Sequence, residues 1–167
     1  MIRAQPTTGR SQSGLVVVEL ALVGLVAFIL LFGAIEFGRL MYTWNVMTEG
    51  TRRGARVAAV CPIDSAGQDK VRRATLFRDP NGDGSAGDIA FPDLEPENVL
   101  VEYLTATGAP AATRNDVEFV RVSIIDYELQ LLIPGIFPTI TMPSFATTLP
   151  AESLGIVPGS TPNCVFP

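Results

Sequence analysis

The sequence predicts an α+β protein, a long amino-terminal helix packed on a small antiparallel sheet. Three observations predict it. Residues Leu15–Ile35 form an apolar run with a single charge, Glu19, and as a helix that run would be roughly 31 Å long. Beyond Glu36 the apolar side chains Phe37, Leu40, Met41, Trp44 and Met47 recur at three- and four-residue spacing, the mark of an amphipathic helix. After residue 97 the pattern becomes β-rich and partly alternating, punctuated by glycine and proline, as in short strands joined by turns.

Composition limits what the chain can do. Of 167 residues 47% are hydrophobic and 17% charged, too apolar a balance for disorder and, at this length, room for about one ordinary domain plus an appended segment. There is no histidine. Histidine bases, Ser-His-Asp triads, His-ligated zinc and imidazole pH switches are therefore excluded, and no nucleophile elbow or phosphate loop takes their place, so we expect no enzyme. Residues 1–78 carry ten Lys/Arg against five Asp/Glu, whereas residues 79–167 carry two (Arg114, Arg121) against twelve. The basic residues flank the apolar run with no interleaved aromatics, which fits a membrane-flanking role and no nucleic acid.

Taken in order, residues 15–60 read as one helix. Its first part, 15–36, is long enough to span a bilayer. Its second part, 37–60, is amphipathic, with Thr51, Ala55 and Ala58 extending the apolar stripe and Arg39, Glu49, Arg52, Arg53 and Arg56 mostly off it. Ala34/Gly38 and Gly50/Gly54 offer small-residue surfaces at four-residue spacing for close backbone approach. Trp44 reads as an interface anchor. A polar leader, 1–14, on the cytoplasmic side and the larger domain, 61–167, outside is the expected arrangement, because two distal cysteines suit an oxidising compartment. Cys61 and Cys164 either close a loop of about a hundred residues as a disulfide or remain unpaired or intermolecular thiols.

In the distal part, Ser65 with Gln68 reads as a capping box opening a short helix at about 66–78. Asn98–Thr105 and Asp116–Tyr127 read as a hairpin across the loop 106–115. Pro134, Pro138, Pro143 and Pro150 then segment the chain, leaving room for one more short strand near 139–148 and an irregular tail. Asp79, Asn81, Asp83, Ser85 and Asp88 place oxygen ligands at alternating positions before and after a glycine turn, like the front of a calcium loop. Position twelve of that loop is Ala90, so the closing glutamate is missing. A solvated turn explains the same residues, and both readings stand.

Glu19 is expensive in an apolar helix, roughly 2.5 to 3.5 kcal/mol at mid-membrane. Either Glu19 is interfacial and reaches for headgroups, or it has a positive partner: a cut after Gly14 would create an ammonium at Leu15 facing Glu19 of a neighbouring helix. Gly14-Leu15 with Glu19, opening a long apolar helix, resembles the processing site of type IV pilins and pseudopilins. Residues 16–60 are similar to the TadE-like proteins of tight-adherence (Flp) pilus systems, on Glu19-Leu20-Ala21, Glu36-Phe37-Gly38-Arg39 and Arg52-Arg53-Gly54-Ala55-Arg56. Residues 120–149 resemble that family more weakly, through a strand, a Pro-rich corner and a strand. Arg10 lies four residues before Gly14, where the family's basic residue is adjacent.

The resemblance implies a type IV pilin-like fold and a structural role as a minor pilin or pseudopilin. It implies processing between Gly14 and Leu15 by a prepilin peptidase, with Glu19, Glu36 and Arg39 in helix registry and assembly. Its implied partners are other pilin subunits and the inner-membrane pilus assembly platform, with the chain held single-pass in the bacterial inner membrane. The alternative is an unprocessed single-span protein whose outer domain binds calcium or another ligand.

Overall fold

The structure is a computed structural model that describes residues 13–82, 94–132, 138–156 and 164. It divides into two compact units, 1–39 and 40–167. Helix α1, Ser13–Val60, runs through the division. In the first unit the apolar side chains are exposed without interruption, from Leu15 through Leu31 to Ile35. Gly14–Val60 is a helix long and apolar enough to cross a membrane.

The second unit has a core. Strands β1 (Val99–Leu104), β2 (Phe119–Ile124) and β5 (Phe145–Pro150) form an antiparallel sheet in the order β1-β2-β5. In β2 the alternate residues Val120, Val122 and Ile124 are all buried, because the side-chain period of a strand places them on one face. Strands β3 (Glu128–Gln130) and β4 (Thr139–Thr141) pair separately. The layout is α+β and pilin-like, with the second half of α1 laid on the sheet: Trp44 meets Phe145 edge to face at 4.9 Å, and Thr51 shares a 2.9 Å hydrogen bond with Thr147.

The buried seam of α1 keeps Met47, Thr51, Ala55 and Ala58 of the expected stripe but departs from its first part. It runs through Thr43, Met47, Gly50, Thr51, Gly54, Ala55 and Ala58, while Phe37 and Met41 are exposed and Trp44 is only partly covered. Close packing selects the small residues. A Cβ on Gly50 would stand 2.7 Å from the Thr75 carbonyl oxygen, and one on Gly54 would strike the Thr75 hydroxyl and stand 3.1 Å from Val122. The Gly50/Gly54 surface is thus taken by this chain's own helix α2 (Ser65–Thr75), whereas Gly38 has open space around it.

Helix α2 begins one residue earlier and ends three residues sooner than its spacing suggests. The cap is Asp64, not Ser65: Asp64 is extended and its carboxylate accepts from the Gly67 N–H at 2.6 Å, satisfying one of the first turn's orphan donors. At the other end Phe77 adopts φ 59°. The Phe77 N–H then bonds the Ala74 carbonyl and the Arg78 N–H the Arg73 carbonyl, which closes the helix in a Schellman motif.

The hairpin forms with β2 shorter than 116–127, because Arg114–Asp116 is a 3-10 turn and Ile125–Tyr127 breaks the strand before β3. The region 139–148 holds parts of two strands rather than one, since the residues Met142–Ser144 interrupt it at Pro143. After β5 the tail fastens to the end of α1. The N–H groups of Glu152 and Leu154 reach the Ala59 carbonyl at 3.0 and 3.3 Å, supplying partners for the helix's last turn. The disulfide Cys61–Cys164, spanning 103 residues, joins the same end. Lys70 Nζ donates to the Cys164 carbonyl at 2.6 Å.

Candidate assembly surface

The residues singled out along α1 fall into two kinds. Gly14, Leu15 and Glu19 lie in its first two turns and are exposed. Leu15 and Glu19 are four apart, so they share one helix face. No described residue pairs with Glu19. Around it, from Val16 to Leu31, the surface is almost entirely aliphatic and aromatic, with Phe28 and Phe32 stacked at 6.3 Å. An exposed apolar face of this length is stable only where lipid or other apolar helices cover it.

Glu36 and Arg39 are the other kind. Glu36 is only 8% exposed, and both Nε and Nη2 of Arg39 donate to its Oε2, at 3.2 and 3.0 Å. The three-residue spacing on a helix brings them together. A buried carboxylate needs such a partner, since an unpaired one is costly. One carboxylate is therefore satisfied within the chain, and the other has no partner among the described residues.

Beyond the helix, Asp79 and Asn81 sit at the start of the acidic loop. Asp79 accepts from the Asn81 N–H at 2.9 Å, and the Gly82 N–H bonds the Asp79 carbonyl at 3.1 Å, an Asx-type turn built from its own residues. Asp83, Ser85 and Asp88 lie outside the described residues. The pair Asp79 and Asn81 alone is two ligands where calcium takes six to eight.

One feature of the distal unit escapes sequence reasoning. Tyr103 of β1 and Arg114 of the 3-10 turn line a common pocket with Pro62, Ile63, Asp64 and Val117. Among the described residues, the Tyr103 hydroxyl and the Arg114 Nε and Nη2 atoms are buried without a hydrogen-bond partner. Burial, reinforced by the nearby Asp64 carboxylate and opposed by Arg72, pushes the Tyr103 phenol up to about 12. Its only signal in the sequence is that Arg114 is one of two basic residues after position 78.

Comparison with known proteins gives one result for the helix. Residues 14–56 match the family model described as TadE-like protein. No curated protein matches the chain, and no solved structure does. The matched segment holds Gly14, Glu19, the Glu36–Arg39 pair and the arginine cluster Arg52–Arg56, and stops short of the sheet. Over residues 14–56, about a quarter of its length, the chain is similar to TadE-like proteins.

Proposed function

We propose that the chain is a structural subunit, a minor pilin or pseudopilin, that helps assemble or prime a tight-adherence pilus. The observation that carries this reading is the exposed apolar stretch from Leu15 to Ile35, with a Glu19 that has no partner among the described residues, inside a segment similar to TadE-like proteins. In this account a prepilin peptidase cuts between Gly14 and Leu15. Leu15–Ile35 first holds the subunit in the inner membrane, with the amino terminus cytoplasmic and the distal unit outside. It later packs against other pilin helices on the assembly platform. Glu19 then meets the new ammonium of a neighbouring subunit, a charge-assisted contact strengthened by the low dielectric around it.

The intact mass of the protein recovered from membranes tests the reading. A chain beginning at Leu15 is expected, and Gly14→Val should remain uncleaved and fail to support pili. A mass retaining residues 1–14 in the wild type, or normal piliation by the Gly14→Val strain, refutes it.

A further inference from the structure

The pocket beside β1 is shaped by the connection from β1 to β2. The β1–β2 connection does not cross directly: the Thr105 N–H bonds the Ala109 carbonyl, and Ala111 N–H then returns to the Tyr103 carbonyl at 2.9 Å. Thr113 next opens the 3-10 turn, its N–H and hydroxyl both held by the Asp116 carboxylate at 3.1 and 2.7 Å. This double hold sets the position of Arg114 between its capping residues. The result is a cavity of about 410 Å³ whose other walls are Pro62, Ile63, Asp64 and Val117, within the size range of small-ligand sites.

Two side chains in that cavity lack what burial demands. Arg114 Nε and Nη2 and the Tyr103 hydroxyl are buried and have no partner among the described residues. A buried donor left unmade costs about 1–3 kcal/mol, and more when charged. The guanidinium cannot shed its charge to escape this. Nε and Nη2 together form the side-on edge of arginine, two parallel N–H groups whose geometric complement is a carboxylate. The neighbouring acid does not fill the role: Asp64 lines the same pocket and its Oδ1 accepts from the Gly67 N–H at 2.6 Å, but neither Arg114 Nε nor Nη2 donates to it. Arg72, the other charge acting on Tyr103, is paired with Asp69 at 3.2 Å.

We propose that this pocket binds a carboxylate, held side-on by Arg114 and by the Tyr103 hydroxyl as a third donor, with the body of the ligand against Ile63 and Val117. The phenol keeps its proton well above neutral pH, so it remains a donor. A cation is disfavoured by the fixed positive charge of Arg114. The carboxylate comes either from a small free acid or from an acidic side chain of a polypeptide. The inference rests on the distal unit alone and stands apart from the pilus reading.

The test uses the full chain in detergent micelles, titrated calorimetrically with propionate, with its neutral isostere propionamide, and with a terminally blocked peptide carrying one aspartate. Saturable binding of propionate but not propionamide is expected, weakened about tenfold or more in Arg114→Lys, which keeps the charge and loses the fork. Tyr103→Phe should weaken it too. Tighter binding of the peptide than of propionate assigns the carboxylate to a polypeptide, and the reverse assigns it to a free acid. The proposal is overturned if the wild-type chain saturates with neither acid, or if propionamide binds as well as propionate. Unchanged binding in an Arg114→Gln chain that retains wild-type circular dichroism overturns it as well.

Discussion

Replacing Gly54 by alanine should destabilise the distal unit, although the same change at an exposed helical position would do the opposite. Alanine is favoured over glycine in a helix interior by about 1 kcal/mol. At Gly54 the new methyl would overlap the Thr75 hydroxyl and stand 3.1 Å from Val122 Cγ1. Neither neighbour can retreat cheaply. Thr75 is 1% exposed and its hydroxyl donates to the Val71 carbonyl at 2.8 Å, while Val122 is fully buried in the central strand. Overpacking a close-packed site costs typically 1–3 kcal/mol, occasionally more, and the propensity gain of about 1 kcal/mol offsets part of it. With so deep an overlap the upper end applies, and we expect a net loss of about 2 kcal/mol for Gly54→Ala. Thermal unfolding of the detergent-solubilised chain reads it, with Gly38→Ala as the control, since Gly38 has nothing within 4 Å. Thr75→Ala loses the hydrogen bond to Val71 but makes room, so the double variant should be more stable than the sum of the single losses predicts. A Gly54→Ala chain as stable as the Gly38→Ala control refutes the reasoning.

Three further outcomes follow from the same structure. Cys164→Ser, which opens a loop of 103 residues, should cost about 2–5 kcal/mol, and the wild type should lose its midpoint under reductant while the variant is unaffected. Because the Tyr103 phenol titrates at about 12 when folded and 10.0 as an isolated side chain, the unfolded chain releases this proton first. The stabilisation is thus complete below pH 10 and lost as pH rises through 12. Denaturation midpoints compared across that window should fall less steeply in Tyr103→Phe, and an identical slope would remove Tyr103 as the cause. Glu19→Leu should enter the membrane at least as well as the wild type yet lose piliation; pili of normal yield would make Glu19 a bystander.

Much of the fold is legible in the residues, and the parts that are not share a cause. The long helix and the hairpin declare themselves through periods of about 3.6 and 2, which depend only on local geometry. The buried seam of α1 does so only in part, through Met47, Thr51, Ala55 and Ala58. Size suggested Phe37 and Met41, but the neighbours of α1 include a second helix end and a strand, and only Gly50, Thr51 and Gly54 admit them. Glycine therefore marked the contact more faithfully than the large side chains. The shift from Ser65 to Asp64 at the start of α2 is similar in kind: both residues can cap, and the extended conformation of Asp64 decides between them. Tyr103 and Arg114 are eleven positions apart and meet only because the connection folds back on β1, so no local pattern could bring them together.

The contrast between Glu19 and Glu36 supports the proposed role of the helix. Both are carboxylates in an apolar context, and the same physics requires that each be neutralised or paired. Glu36 obtains its arginine one turn away, at Arg39, and so contributes to a chain that is complete at that point. Glu19 has aliphatic neighbours on every side and no described partner. A glutamate serving only to anchor an interface would gain nothing from lying four residues beyond Leu15, on the face where a new amino terminus would stand. Placed there, it leaves a charge whose natural complement is another molecule's ammonium. The exposed apolar surface from Leu15 to Ile35 demands the same thing in area that Glu19 demands in charge. A bilayer satisfies the area alone; on the proposed reading, a bundle of like helices, each cut before Leu15, would satisfy both.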